Sequence, residues 1–323
     1  MDIEVSFEKT GGPEVLQVRE TTVGLPGDGE VRIRHHAIGL NFVDIYHRSG
    51  LYSLPLLPAI PGVEGAGVIE DVGSDVDGFC PGDRIAYAGL PVGAYSSRRI
   101  LPAWRAISLP GDVPFDIAAA SMLRGLTVHM LLTRVFNGQF VKTILVHAAA
   151  GGLGQYATRW AKRTGMIVIG TVGSANKAEI AKAAGADHVI IGRDADFAKQ
   201  ARDLTGGAGV DAIIDGVGGK RFLRNFDAVN VFGAVASVGQ PAGMPPAVEP
   251  QALNARASSF SRPSVIAYIN DRSTYLTASR EVLAMMAAGV HANIGGRFAL
   301  KDAATAHQEM EAGRSTGSLI LIP

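Results

Sequence analysis

Cysteine is nearly missing: Cys80 stands alone in 323 residues. A disulfide within the chain is excluded, and so is any zinc centre built on two or more thiolates. A lone thiol of this kind is expected to be a small buried hydrophobe. Net charge is missing too, with 30 Lys and Arg against 30 Asp and Glu. No basic cluster offers the electrostatic footprint that nucleic acid requires. Charged residues make up only 19% and apolar residues 47%. That balance argues against disorder and provides for a large core. No apolar run approaches the ~18 residues of a membrane span. The first stretch, MDIEVSFEKTGG, is charged and alternating rather than apolar, so no secretory signal is expected. A cytoplasmic enzyme or binding protein of about two domains, at ~150 residues each, is the default.

What is present falls into two textures. Residues 1 to about 110 carry short apolar or alternating runs: IEVSF, VLQVRET, EVRIRHHAIGL, GAGVIEDVG, DRIAYA and GAYSSRRIL. Gly and Pro separate them, as in antiparallel strands joined by tight turns. NFVDIYHRSG inserts a short helix closed by Gly50. From about 115 a long helical stretch, FDIAAASMLRGLTVHMLLTRVF, leads into alternating strands and helices. Strands are expected at 143–147, 166–170, 188–191, 210–214 and 233–238, with helices between them. That spacing means βαβ units and a parallel sheet. The tail holds two more helices, STYLTASREVLAMMAAGV and KDAATAHQEMEAG, before a last strand, SLILI.

The sharpest motif is HAAAGGLG. Ala149, Gly151 and Gly154 fit G-x-G-x-x-G with Ala in first place. Gly is common in the chain (40 residues), so context decides. The loop follows the strand run TILV and opens a helix with small or apolar residues at 153, 156, 157, 160, 161 and 164. Gly165 closes that helix before a second strand. This is the strand–loop–helix–strand order of a dinucleotide site. Orphan N–H groups at the helix N-terminus attract pyrophosphate, and bare glycine backbone lets it approach. NAD sites place an acid about 20 residues on, against the ribose 2′-OH. Here that region reads Thr171, Val172, Gly173 and Ser174, without an acid. Lys177 follows in the first turn of the next helix, with Ser174 as N-cap. A cation there opposes the helix dipole unless a 2′-phosphate sits beside it. The expected cofactor is NADPH.

With these residues in hand, the chain resembles the zinc-free quinone oxidoreductases (zeta-crystallin-like) of the medium-chain dehydrogenase/reductase superfamily. The likeness runs over essentially the whole length. It is densest at GGPEVL, NFVDIYHRSGLY, GVEGAGVIEDVG, GAYSS, AAASMLRGLTV, HAAAGGLG, GTVGSANKA, SRPS and TGSLILIP. It implies an α/β protein with a GroES-like β-rich catalytic domain at 1–120, completed by 265–323, and a Rossmann NADPH-binding domain at 121–264. It also implies a homodimer. Zinc relatives carry a Cys near the start of the 41–46 segment and a His in a GHE motif. This chain has Asn41 and the run Gly62, Val63, Glu64, so Glu64 remains while both ligands are gone. The cysteine-rich lobe for structural zinc is absent as well. His35 and His36 lie on opposite faces of one strand, and the other histidines are scattered; no metal site is expected.

Without a Lewis acid, an electron-poor acceptor is the natural substrate. The resemblance places Asn41, Tyr46 and Tyr52 beside the nicotinamide and substrate, where an amide and two phenols can hydrogen-bond a quinone oxygen or orient the carboxamide. Arg124 and Thr127, at the entry to the long helix, are further candidates. Cofactor contacts carried over are Ala150, Gly151, Gly152, Leu153, Gly173, Ser174, Lys177, Val238, Gly239, Arg262 and Arg314. Relatives often carry a Tyr over the adenosine phosphate after the third strand; here Gly192 and Arg193 stand there, and the forked guanidinium of Arg193 can reach the same phosphate. FNGQFVKT departs from the usual Pro-Gly turn, and no functional meaning is read into it. The expected activity is NADPH-dependent reduction of quinones. Reduction of α,β-unsaturated carbonyls, or a crystallin-like cofactor-binding role with little turnover, are the alternatives. The expected partners are a small quinone or conjugated carbonyl, with no nucleic acid and no membrane span.

Overall fold

The structure is a computed structural model that describes residues 2–136 and 141–323. Met1 and, within FNGQFVKT, residues 137–140 lie outside the described residues. The chain divides into two compact units, Met1–Leu126 with Ile266–Pro323, and Thr127–Val265.

The first unit opens with β1 (Asp2–Ser6) and β2 (Gln17–Thr21), an antiparallel pair. Then come β3 (Glu30–Leu40), α1 (Phe42–Ser49), β4 (Glu64–Val72), β5 (Arg84–Ala88), β6 (Arg98–Pro102), β7 (Ile107–Ser108) and the start of α2 (Phe115–Met130). β3 is the spine of the main sheet. It alternates as a half-buried strand must: Val31, Ile33, His35 and Ala37 are buried, while Arg34 and His36 are exposed. Gly50 ends α1 in the left-handed region, φ 84°, where a glycine C-cap carries no Cβ strain.

The second unit repeats strand and helix: β8 (Thr143–Val146), α3 (Gly152–Arg163), β9 (Ile167–Val172), α4 (Ala175–Ala183), β10 (His188–Ile191), α5 (Phe197–Leu204), β11 (Val210–Asp215), α6 (Asn225–Ala228), β12 (Val229–Ser237), α7 (Pro250–Asn254) and β13 (Ser259–Ser261). The sheet order is β10-β9-β8-β11-β12-β13, and every pairing is parallel. Renumbered within the unit this is 3-2-1-4-5-6, the doubly wound order. Its strands bury Leu145, Ile169, Ile213 and Val235 with Phe197, Phe222 and Phe226. β13 has only Ser259, Phe260 and Ser261, too few apolar residues to stand out in sequence; the sheet edge makes it a strand.

The C-terminal stretch adds α8 (Val265–Tyr268), α9 (Arg272–Ala287), β14 (Ile294–Ala299), α10 (Ala303–Glu311) and β15 (Ser318–Ile322). β15 pairs antiparallel with the end of β3, Leu319 against Leu40, while β6 pairs with its first half. Leu319 and Leu321 thus join Ile38, Leu40, Ile69 and Ile85 in one core.

Three expectations are corrected. Cys80 is exposed: its N–H is held by Asp83 Oδ2 at 2.7 Å in the turn before β5, which leaves the thiol outside the core. Phe115–Val135 is helical for 21 residues, long and apolar enough to cross a membrane by length and composition; 78% of its most apolar window is buried inside the protein. Arg124 and Thr127 lie in the third and fourth turns of α2 rather than at its entry, because the helix already starts at Phe115.

Candidate functional site

In the first unit the chain leaves β3 at Leu40 and turns into α1 with Asn41 as N-cap. Asn41 and Asp44 form a capping box, the reciprocal arrangement that satisfies orphan donors at a helix start. Asp44 Oδ2 accepts from the Asn41 backbone N–H at 2.8 Å. Below the cap lies a carboxylate with no exposure, Glu64. Its Oε2 accepts from Asn41 Nδ2 at 2.8 Å, and its Oε1 accepts from the Leu123 N–H at 2.7 Å. Arg124 Nη1 stands 3.6 Å from Oε2. The same guanidinium donates to the carbonyls of Ala120, at 3.0 Å, and Leu40, at 2.9 Å. Burial pushes the Glu64 pKa up, opposed by Arg124 and by the Asn41 and Leu123 hydrogen bonds. Burial also pushes Asp44 up, to about 7.

A chain of hydrogen bonds runs on from Asp44. Tyr95 Oη donates to Asp44 Oδ2 at 3.3 Å and meets His307 Nε2 at 2.9 Å. Arg48 Nη1 donates to His307 Nδ1 at 3.1 Å, and its fork closes on Glu311. Arginine can only donate. Nδ1 of His307 is therefore the acceptor, and Nε2 carries the proton toward Tyr95. Burial and the Arg48 charge hold His307 down to about 3, so it stays neutral.

The two phenols named from sequence come together. Tyr46 is buried on α1, and Tyr52 is 40% exposed just beyond the helix. Their rings meet edge-on with centroids 5.1 Å apart, and the Tyr52 N–H donates to the Tyr46 carbonyl at 3.0 Å. Asn41, Tyr46, Tyr52 and Arg124 thus share the first unit, Asn41 and Arg124 linked through Glu64.

In the second unit the loop residues behave as bare backbone. Gly151 is the N-cap of α3 with no side-chain cap, so Ala150, Gly151, Gly152 and Leu153 line an uncapped helix start. A Cβ on Gly154 would press into the Ala148 carbonyl oxygen and lie 2.7 Å from Ala149 Cα; only glycine lets α3 pack this closely on β8. After β9, Gly173 and Ser174 are exposed and Ser174 holds the N-cap position of α4, which places Lys177 in its first turn. Arg193 leaves β10 beside them: its Nε is 3.4 Å from where a Gly173 Cβ would stand. The Arg193 carbonyl in turn accepts from Arg221. Past β12, Val238 donates its N–H to Asp215 at 2.8 Å, and Gly239 is buried against Gly216. Arg262 donates to the Ser237 hydroxyl at 2.8 Å and to Gln240 at 2.9 Å. Thr127 is buried at the start of the unit. Arg314 belongs to the first unit and forks onto Glu309, at 3.0 and 2.6 Å.

Sequence reasoning missed a half-buried network at the strand ends. His147 Nδ1 meets the Thr171 hydroxyl at 2.9 Å, and its Nε2 meets Asn225 Oδ1 at 2.8 Å. Asn225 Nδ2 donates to Asp215 Oδ2 at 2.7 Å. The other Asp215 oxygen accepts the N–H groups of Val217 and Gly218. The ends of β9, β8 and β11 are tied together, and no motif signals it because the four residues are far apart in the chain. Asp44 did carry a signal, an acid three residues after an N-cap Asn.

A 3-2-1-4-5-6 parallel sheet with a bare-backbone loop after its first strand, in a chain that also carries a β-rich unit completed by the C-terminal strand, defines a dinucleotide-dependent dehydrogenase or reductase. Family models agree with that class: the alcohol dehydrogenase GroES-like domain matches residues 27–111, and the zinc-binding dehydrogenase domain matches residues 152–283. Quinone oxidoreductase 1 of Escherichia coli is 41% identical over 327 residues, covering 100% of both chains. The 2-haloacrylate reductase of a Burkholderia species is 37% identical over 98% of each. Among solved structures, Escherichia coli quinone oxidoreductase complexed with NADPH superposes with a TM-score of 0.94 at 40% identity, over 99% of this chain and 100% of that one. The chain belongs to the zeta-crystallin-like quinone oxidoreductases of the medium-chain dehydrogenase/reductase superfamily.

The zinc in that domain description does not fit these residues. Asn41 is committed to Glu64, Val63 is a fully buried hydrophobe, and among the described residues no three His, Cys, Asp or Glu side chains gather to hold a metal ion. A dinucleotide does fit: the uncapped start of α3 offers orphan N–H groups, and a Cβ on Gly154 would crowd the loop.

Proposed function

We propose that this protein is an NADPH-dependent reductase of quinones that works without zinc. The observation that carries the reading is the turn after β9. It holds no acid, offers the exposed backbone of Gly173 and Ser174, and brings Arg193 against it with Lys177 in the next helical turn. Cations at that position suit a 2′-phosphate and not a bare ribose hydroxyl. The relatives named as quinone oxidoreductases, one of them complexed with NADPH, support both cofactor and acceptor.

In this reading Ala150, Gly151, Gly152 and Leu153 hold the pyrophosphate on the N-terminus of α3, and Lys177 with Arg193 reads the 2′-phosphate. Val238, Gly239 and Arg262 border the nicotinamide half, Thr127 adds a hydroxyl, and Arg314 serves the phosphate end. Asn41, Tyr46 and Tyr52 orient the carboxamide and the acceptor, with Arg124 behind them. When bound, the reduced nicotinamide supplies the hydride; the protein supplies position, hydrogen bonds and exclusion of water. The domain assignment of 1–120 with 265–323 as catalytic, and 121–264 as cofactor-binding, belongs to the same proposal. So do a homodimer, which the family resemblance implies, and a cytoplasmic location, the default for this composition.

The test is steady-state oxidation of NADPH and NADH by a panel of quinones, enones and alcohols, with zinc analysis of the purified protein. Quinone turnover with NADPH preferred and no stoichiometric zinc is expected. A preference for NADH, or a zinc lost together with activity, overturns the reading. A second reading, reduction of α,β-unsaturated carbonyls, is favoured by the relative that reduces 2-haloacrylate, a conjugated acceptor; enone turnover above quinone turnover in the same panel selects it.

A further inference from the structure

We infer that Glu64 is a positioning residue: it fixes the side-chain amide of Asn41 in one orientation, with the NH2 group inward. The inference rests on the reading that Asn41 lies at the reacting end. It goes beyond that reading because nothing in the site's assignment uses Glu64.

The argument is one of donor and acceptor matching. Glu64 is fully buried, and donors face both of its oxygens: Asn41 Nδ2 at 2.8 Å on Oε2, and the Leu123 N–H at 2.7 Å on Oε1. Arg124 adds a guanidinium 3.6 Å from Oε2. A carboxylate so surrounded accepts only. An Asn41 turned the other way would set its carbonyl oxygen against a carboxylate oxygen, two acceptors in a dry place, which is costly. The place for the carboxylate is built into the strand beneath: a Cβ on Gly39 would lie 2.8 Å from Glu64 Cδ. Arg124 cannot swing away without abandoning the Leu40 and Ala120 carbonyls, and Leu40 is the residue just before Asn41. Backbone and side chain of Asn41 are therefore held by two carboxylates, Asp44 from α1 and Glu64 from β4. A polar side chain held so firmly arrives at its ligand already oriented, so little side-chain freedom is lost on binding. Arg124 then acts through Glu64 and touches nothing that reacts.

Side-chain amide NMR of the intact protein tests this without any substrate. The Asn41 resonances are identified as the pair missing from Asn41→Ser. In the wild type, two resolved amide protons protected from solvent exchange are expected; a single averaged or rapidly exchanging amide overturns the proposal, even if no Glu64 variant folds. Glu64→Gln puts an amide opposite an amide, so the protected pair should shift and lose protection. In the same variant kcat with 1,4-benzoquinone should fall by about 10–150-fold, the reach of one charge-assisted hydrogen bond. Affinity for 2′,5′-ADP, which probes only the phosphate end, should not change. Glu64→Gln with wild-type amide resonances and wild-type kcat overturns the proposal. A wild type that shows the protected amide but reduces no quinone keeps the positioning role and removes the functional reading instead.

Discussion

The two units bury polarity in opposite ways. The first unit carries ionisable groups in its interior: Asp44 and Glu64 are fully buried, Arg48 and Arg105 nearly so, and His35 and His307 sit among them. In the second unit Asp215 is the one buried carboxylate among the described residues, held by an asparagine amide and two backbone N–H groups. Its other buried polar side chains are hydroxyls, amides and His129. The difference follows from what each offers. In the proposed reading the second unit presents bare backbone to a phosphate, and small residues over an apolar sheet suffice. In the same reading the first unit holds an amide and two phenols in fixed directions at and just beyond a short helix. That is done with ionisable groups whose burial is offset by ion pairs and by hydrogen bonds to backbone and neutral side chains.

The largest expected effect breaks the charged interior. Arg124→Met leaves Glu64 buried without its cation and should lower unfolding free energy by about 3–5 kcal/mol. Glu64→Met with Arg124→Met removes both charges and should recover most of that loss, while quinone turnover stays low because Asn41 has lost its acceptor. Denaturant unfolding and steady-state kinetics of the pair check this; equal stability of wild type and Arg124→Met would mean that the ion pair contributes nothing.

Next in size is the phosphate end. Lys177→Ala should weaken NADPH by about 10–150-fold, the loss of a charge-assisted contact worth ~1.5–3 kcal/mol, and leave NADH nearly unchanged. Arg193→Ala should show the same asymmetry more weakly, because its side chain is exposed beside Gly173. Rising salt should erode the wild-type preference. Dissociation constants for both cofactors decide it; equal weakening would make the lysine a support of the turn.

Gly154→Ala sharpens the contrast from the other side. The added methyl meets the backbone of Ala148 and Ala149, so a cost of about 1–3 kcal/mol is expected from overpacking alone. Loss of NADPH affinity should accompany it, since α3 must move off β8. Unchanged melting temperature together with unchanged affinity would refute the close-packing account.

A last contrast is in pH, where two contributions of opposite sign meet. Asp44 is raised from 3.8 to about 7. The unfolded chain releases this proton first, so this group lowers stability as pH rises from about 4 to 7. His35 and His307 are each lowered from 6.5 to about 3. They contribute stability above pH 6.5 that is lost progressively as pH falls toward 3. Asp44→Asn should remove the first contribution, leaving stability that climbs more steeply between pH 4 and 6.5 than in the wild type. Melting temperature against pH for both proteins measures it; parallel curves would show Asp44 ionised throughout.

The elements whose signals are local were legible in the sequence. The β3 run 30–40, α1 closed by Gly50, and β10 at 188–191 came out as read, since alternation and a glycine stop need only neighbouring residues. Strand ends shifted: 166–170 became Ile167–Val172, and 233–238 became Val229–Ser237. Pairing across the sheet, not propensity, sets where a ladder stops. In the candidate site, Asn41 and the phosphate loop carried motifs, whereas Glu64 stood out only as a leftover of the missing zinc motif.

By itself the sequence determined the alternation of strands and helices from β8 to β12, the bare backbone at 149–154, the missing acid after β9 and the missing metal ligands, while β13 and β14 emerged only as sheet partners. Each is a matter of residue type at short spacing. Only the tertiary structure decided that Glu64 grips Asn41 across 23 positions, that Arg48 reaches His307 across 259, and that His147 ties three strand ends together through Thr171, Asn225 and Asp215. A hydrogen bond needs its partners within about 3 Å with matched donor and acceptor, and only the folded path of the chain brings residues so distant in sequence that close.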